Sequence, residues 1–265
     1  MKALRPIEED IASMVNSDPD PTERFTGRSS IYKLHRPRYP DALFRYLLDN
    51  SVIWKGCSVA DVGSGTGIFA KGLLDRGVVV YAVEPNHEMR ECADDALGPM
   101  AGFHSVVGRS EATTLGTASV DAVTAAQAFH WFETGPTWIE FARILRPCGQ
   151  VCIVYNERDV CDQFSREYEG LVGVYTEPDK EKRERSRDPR GFFEGRCKEA
   201  SFPNRQELDQ EGLLGRALSN SHMPKKGEEG YVEIARRISE IFDRHQANGH
   251  VIMRYNTLVY HGALD

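Results

Sequence analysis

Apolar residues along this chain follow two rhythms that alternate. Short, nearly unbroken runs at Ser58 to Val62, Val78 to Val83, His104 to Val107, Val120 to Ala126 and Gln150 to Tyr155 have the length of strands buried on both faces. Between them the apolar positions recur every three or four residues. Asp41 to Asn50 puts Leu43, Phe44, Leu47 and Leu48 on one helical face, and Gly67 to Arg76 does the same with Phe69, Leu73 and Leu74. Asn86 to Asp95 and Trp138 to Leu145 complete the helical set. Strands and helices alternating at this spacing predict a parallel sheet assembled from βαβ units.

The two ends depart from that rhythm. Asp18-Pro19-Asp20-Pro21 breaks any helix near the N-terminus, so residues 1–24 read as a loosely docked arm. The stretch from Phe25 to Pro40 is rich in aromatic and basic residues. After the fifth strand, residues 160–215 read as an insertion. Within it, Glu177 to Arg190 is a mixed-sign charge run with two prolines, a solvated loop or helix face. From His250 to Tyr260, Val251, Met253, Tyr255, Leu258 and Tyr260 alternate around Asn256, the pattern of one or two closing strands added antiparallel to the rest.

Composition narrows the function classes. A chain of 265 residues is enough for one large α/β domain with a substantial core, or for a domain plus a small cap. Its net charge of -7 and pI of about 5.7 argue against a partner gripped by its phosphates, so nucleic acid is not expected. No apolar run approaches the roughly 18 residues of a membrane span, and none near the N-terminus resembles a secretion signal. Cys57, Cys92, Cys148, Cys152, Cys161 and Cys197 show no CxxC spacing and read as reduced thiols. A zinc site is not expected either, because no pair of Cys or His at ligand spacing is followed by a second pair. The expected compartment is the cytoplasm.

The candidate chemistry begins at Val59-Ala-Asp61-Val-Gly63-Ser64-Gly65-Thr66-Gly67. A strand ends beside a carboxylate, and glycines at every second position lead into a helix. Glycine there permits turns closed to other residues and lets a ligand approach the backbone. In open α/β sheets ligands lie at the carboxyl ends of the strands. A nicotinamide or flavin site would place glycine at position 68, where Ile68 stands, and a phosphate-binding P-loop would need Gly-Lys-Ser/Thr. A tight turn with no ligand is the remaining alternative. Against it stands Glu84, 23 residues after Asp61, at the end of the next strand. A carboxylate in that place can take both hydroxyls of a ribose.

DVGSGTG, then VYAVEPNHEM, then Gly108-Arg-Ser110-Glu111 ahead of Ser119-Val-Asp121-Ala-Val123 together resemble the class I S-adenosylmethionine (SAM)-dependent methyltransferases over roughly residues 55–156. The resemblance implies a Rossmann-like, doubly wound, mostly parallel sheet with an antiparallel C-terminal strand. It places the glycine loop of Gly63, Ser64, Gly65, Thr66 and Gly67 under the methionine part of SAM, Glu84 at the ribose, and Ser110 and Glu111 beside the adenine, with Asp61, Pro85, Met89, Ala126 and Gln127 as further cofactor contacts. Asp121 is a structural marker.

The run Ala126-Gln127-Ala128-Phe129-His130-Trp131-Phe132 resembles a branch that includes trans-aconitate methyltransferases. So do Tyr32-x-x-x-Arg36-Pro37-Arg38-Tyr39-Pro40, the segment Leu213 to His222 and the final Arg254 to Tyr260. Coverage then reaches most of residues 25–262, with 160–205 the poorest match. This likeness implies an N-terminal arm and lid over residues 1–40, with Tyr32 and Arg36 near the carboxylate of SAM. Residues 41–265 would form the SAM-binding domain, with a helical cap insertion at about 160–215. On the substrate side it implies Tyr39, His130, Trp131, Ser219, Ser221 and His222. His130 is a catalytic base, a hydrogen-bond donor to an acidic substrate, or a pocket wall. Trp131 and Phe132 line the pocket or belong to the core.

The function expected is methyl transfer from SAM to an oxygen, nitrogen or carboxylate of a small molecule. Two alternatives are weighed. A methyltransferase acting on RNA or protein is disfavoured by the acidic pI and by the lack of an Asn-Pro-Pro-Tyr type motif. A SAM-binding regulator without turnover would keep the same cofactor residues.

Overall fold

A computed structural model describes residues 27, 29–175, 188–220 and 222–264. Its centre is a seven-stranded sheet in the order β3-β2-β1-β4-β5-β7-β6. The strands are β1 (Ser58–Val62), β2 (Val79–Val83), β3 (Phe103–Val106), β4 (Val120–Ala126), β5 (Leu145–Arg158), β6 (Lys198–Leu208) and β7 (Val251–Gly262). From β3 to β5 all pairings are parallel. Only β7 runs against its two neighbours. This is the expected Rossmann-like fold. The chain reverses direction across the sheet between β1 and β4, which opens a crevice at their carboxyl ends.

Alternate residues of the central strands feed two layers, as side chains on a strand must. Val59, Val80, Ala82, Cys152 and Val154 join one core with Leu43, Phe44 and Leu47 of α2 (Asp41–Asp49) and Phe69 and Leu73 of α3 (Ile68–Leu74). Ala60, Val62, Val123, Ala125, Val151 and Ile153 join the other, with Phe141 and Ile144 of α5 (Thr134–Ile144). The helix between β2 and β3 is α4 (His87–Leu97), and Asn86 caps it by accepting the Met89 N–H at 3.0 Å.

Residues 160–215 differ from the expected helical cap. They do contain α6 (Gln163–Gly173) and the start of α7 (Gln210–Leu218), but between these lies β6, the outer strand of the main sheet. The pattern KEASFPNRQEL has no apolar run because β6 is an edge strand with mostly exposed or half-buried residues. β5 is also longer than its apolar stretch. Its last residues, Tyr155 to Arg158, pair with Leu258 to Tyr255 of β7 beyond the parallel part of the sheet. On this extension α6, α7 and α8 (Tyr231–His245) build a third core around Tyr168, Leu171, Leu213, Ile238 and Tyr255. The expected arm at residues 1–24, most of the charge run and Ser221 lie outside the described residues.

Candidate cofactor and acceptor site

After β1 the chain turns through Gly63, Ser64, Gly65 and Thr66 into α3, whose N-cap is Gly67. The three glycines have φ of 68°, 55° and 79°, a region that side chains with a Cβ rarely adopt. Their surroundings differ. A Cβ on Gly63 would stand 2.5 Å from Ala128 Cβ, and one on Gly67 would stand 2.5 Å from Leu97 Cδ1. One on Gly65 would meet nothing within 4 Å. Gly63 and Gly67 therefore let the loop pack down on its neighbours, while Gly65 keeps its upper face open.

Glu84, one residue past β2, holds this loop in place. Its Oε2 accepts the Gly65 N–H at 2.9 Å and its Oε1 accepts the Asn86 N–H at 2.9 Å. Each carboxylate oxygen has two acceptor directions, so capacity remains for two hydroxyl donors. Burial raises the pKa of Glu84, and the two backbone N–H groups oppose that rise. Asp61 is 1% exposed. Its Oδ1 accepts from Thr124 Oγ1 at 2.8 Å across the β1–β4 pair, and its Oδ2 has no partner among the described residues. Burial pushes its pKa up to about 7, with Thr124 opposing and Glu84 adding to the rise.

A short helix, α1 (Ser29–His35), and the segment after it lie over this edge of the sheet. Arg36 Nη2 donates to the Ser219 carbonyl at 2.9 Å, and its guanidinium stands 4.6 Å from the centre of the Tyr32 ring. Gln206 donates to the His35 carbonyl at 2.8 Å, and Asn204 to the Arg38 carbonyl at 2.7 Å. Tyr39 packs edge-on against Phe69, with ring centres 4.9 Å apart. A Cβ on Gly215 would come within 2.4 Å of the His35 ring, so α1 and α7 touch closely. Burial lowers the Arg36 pKa to about 10, and it remains charged at neutral pH.

On the other side of the crevice, buried Ser110 donates to Glu111 Oε2 at 3.0 Å and accepts from Thr137 at 2.9 Å. Met89 is buried under the start of α4, and Pro85 offers its carbonyl to Arg90 at 2.8 Å. Ala126 ends β4, and Gln127 follows with φ of 59°, donating to the Asn156 carbonyl at 2.9 Å. His130 and Trp131 lie in the 3-10 turn Phe129–Trp131, and the His130 ring is 6.2 Å from that of Tyr155 on β5. Phe132 is a core residue packed beneath Gly63. Ser219 is fully buried, and its hydroxyl donates to the Arg216 carbonyl at 2.7 Å. It orients two arginines from within, a different place from the pocket surface that the motif implied. His222 is half-buried, its N–H turned to Asn220.

Residues 60–153 match the methyltransferase domain family. An uncharacterized methyltransferase of Mycobacterium tuberculosis is 34% identical over 165 residues, 62% of this chain and 65% of that protein. The chain thus spans less than two thirds of the length of that relative. An uncharacterized methyltransferase-like protein of Schizosaccharomyces pombe is 27% identical over 147 residues, 54% of this chain and 56% of that protein. A solved structure from Anaeromyxobacter dehalogenans, described as a type II methyltransferase, superposes with a TM-score of 0.64 at 25% identity. It covers 86% of this chain and 98% of that one. The Bacillus subtilis YcgJ protein shares the fold, with a TM-score of 0.52 at 15% identity over 82% of this chain and 96% of its own.

SAM is the cofactor of this domain class, and the residues at the crevice fit it. SAM carries an ammonium, a carboxylate, a sulfonium, a ribose and an adenine. Asp61 Oδ2, Ser64 Oγ, Thr66 Oγ1 and Arg36 Nε are buried without partners among the described residues. A buried polar atom left without a partner is costly, and a ligand with groups of both signs would match these four. The charges of Asp61, Arg36 and Glu84 would suit the ammonium, the carboxylate and the ribose of SAM respectively. Two residues near this site carried no motif signal: Thr124, which orients Asp61, and Asn156, whose Nδ2 is buried without a partner among the described residues; Arg216 lies within the segment Leu213 to His222 but was not singled out there. Asn156 follows directly on an apolar strand, the one cue that marked Asp61 and Glu84 as well.

Proposed function

We propose that this chain transfers the methyl group of SAM to a small-molecule acceptor. The observation that carries the reading is the roof over the crevice. The segment from α1 to Tyr39 is held down by Ser219, Gln206, Asn204 and the close contact at Gly215. A folded protein or an RNA needs an open edge to reach the methyl group, whereas a small acceptor fits beneath a lid. The likeness of the AQAFHWF run to trans-aconitate methyltransferases supports the same reading. A cytoplasmic setting, where SAM is made and thiols stay reduced, agrees with cysteines that are all unbridged.

SAM supplies a methyl group on a sulfonium. When bound, it would offer that methyl carbon to the acceptor's lone pair, with the electron pair of the breaking C–S bond left on sulfur. The chain's own part is to align the acceptor and exclude water. Asp61 and Arg36 orient the amino-acid end of the cofactor, Glu84 the ribose, and the lid closes the space above. His130, at the ends of β4 and β5, faces the acceptor, where it receives or directs a proton from a hydroxyl or amine.

The test is transfer of label from methyl-labelled SAM into a small-molecule extract, a protein extract and an RNA extract. Label confined to the small molecules is expected. Label in protein or RNA would replace this reading, and SAM binding with no transfer at all would make the chain a regulator. Within the proposal, His130→Ala is expected to lower turnover by about 10²-fold with calorimetric affinity for S-adenosylhomocysteine unchanged. Equal loss of cofactor affinity would make His130 a wall of the cofactor site. For the lid, amide exchange at residues 29–40 is expected to slow when S-adenosylhomocysteine is added, and Arg36→Ala to weaken that protection. Equal exchange with and without cofactor would mean the segment is packing only.

A further inference from the structure

The turn that carries Ser110 and Glu111 is built more tightly than a surface loop needs. Arg109 and Ala112 exchange both backbone hydrogen bonds, Arg109 N–H to the Ala112 carbonyl at 3.0 Å and Ala112 N–H to the Arg109 carbonyl at 3.1 Å. Ser110 and Glu111 are left at the tip. The chain then doubles back so closely that a Cβ on Gly108 would stand 2.7 Å from the Thr113 carbonyl oxygen. Thr114 follows with φ of 65°, a conformation that a β-branched residue rarely adopts. Such strain persists only where the surrounding contacts enforce it.

Those contacts come from α5. Thr137 and Glu140 stand three residues apart and so share a face of this helix. Glu140 is 7% exposed, and its Oε1 accepts both the N–H of Thr113 at 2.8 Å and its hydroxyl at 2.5 Å. Arg143 binds the same carboxylate through two nitrogens, each at 2.7 Å, and donates to the Leu115 carbonyl at 2.8 Å. Burial alone would raise the Glu140 carboxyl, but Arg143 and Thr113 hold it below its ordinary value, so it stays ionised at neutral pH. Thr137 is fully buried and donates to Ser110 Oγ at 2.9 Å. Ser110 continues the chain by donating to Glu111 Oε2 at 3.0 Å. A relay of two hydroxyls thus fixes the direction of a carboxylate that is otherwise exposed. A surface acid left to water needs no such relay.

We propose that Thr137 and Glu140 are positioning residues for cofactor selectivity: from α5 they hold the Ser110–Glu111 turn so that the Glu111 carboxylate accepts the amino group of adenine. This inference rests on the methyltransferase reading above, with the adenine at this turn. Both residues act through the turn. Glu140 sets where it sits, and Thr137, by way of Ser110, sets where the carboxylate points. The consequence is discrimination between purines. Adenine offers a donor at its 6-position, whereas hypoxanthine carries a carbonyl oxygen there. A carboxylate held in place pairs with the first and repels the second. One free to swing turns instead to the ring N–H beside that oxygen, and the discrimination is lost.

The experiment titrates S-adenosylhomocysteine and S-inosylhomocysteine, which differ only at that edge of the base, into the full chain by calorimetry. The unaltered chain is expected to prefer the adenine ligand by at least about tenfold, the effect of one charge-assisted hydrogen bond. Thr137→Val and Glu140→Gln are each expected to bring the ratio of the two affinities towards one. A merely structural role would not move this ratio, because a looser fold weakens both ligands alike. Equal affinities in the unaltered chain would overturn the proposal while leaving methyl transfer standing, and so would a folded Thr137→Val or Glu140→Gln variant that keeps the original ratio. Binding of neither ligand by the unaltered chain would sink the methyltransferase reading as well. Thr137→Val is close in shape to the native side chain and leaves Ser110 able to donate, so it decides should Glu140→Gln not fold.

Discussion

Replacing Glu84 with alanine is expected to weaken binding of S-adenosylhomocysteine by about 10- to 150-fold, the equivalent of about 1.5–3 kcal/mol. Two sources are expected for the loss. One is the proposed grip on the ribose hydroxyls, which a carboxylate makes with charge-assisted hydrogen bonds. The other is the glycine loop itself, since Glu84 accepts the N–H groups of both Gly65 and Asn86. Without it those two N–H groups lose their acceptor and the loop loses its tie to the start of α4. Glu84→Gln separates the contributions. The amide keeps one acceptor oxygen, so it should fall between the alanine variant and the unaltered chain. Calorimetry that finds Glu84→Ala binding at full affinity would remove the ribose from this end of β2.

Affinity for S-adenosylhomocysteine is also expected to fall by up to about tenfold for each pH unit below about 7. Burial raises the Asp61 carboxyl to about 7 in the chain alone. Only the ionised form pairs with the ligand's ammonium, so below that pH binding must first expel a proton. Above it the affinity should level off. Stability follows the same sign. The folded pKa of Asp61 lies above its unfolded value of about 3.9. Its contribution to stability is therefore complete below the unfolded value and is lost as pH rises through the folded one. The ligand's ammonium offsets that loss, so the rise in melting temperature with ligand should be larger at about pH 8 than at about pH 5.5. Asp61→Asn should bind weakly at every pH with a flat profile. A flat profile in the unaltered chain would mean that the ammonium lies elsewhere.

The central strands and the cofactor loop were legible in the sequence by itself. Strands β1, β2 and β4 are buried on both faces, so their apolar runs announce them, and the glycine turn and strand-end acids follow from local chain geometry. Asp61, Gly65 and Glu84 lie within a single βαβ unit, and their spacing in the chain carries over to their spacing in space. The closing strand β7 was legible too, because it alternates buried and exposed residues along its first half. Other features have no such local signature. β6 exists because β7 offers it a partner, not because KEASFPNRQEL prefers to be extended. The extension of β5 through Arg158 is likewise set by its pairing with Tyr255. The meeting of Arg36 with Ser219, and of Arg216 with Tyr255, joins residues 183 and 39 positions apart. No periodicity encodes such contacts, because they arise from how α1, α7 and β7 pack, and packing depends on the whole chain. The sequence alone therefore determined the strand-end acids and the glycine loop, and the tertiary structure decided which distant side chains meet at Ser219 and Tyr255.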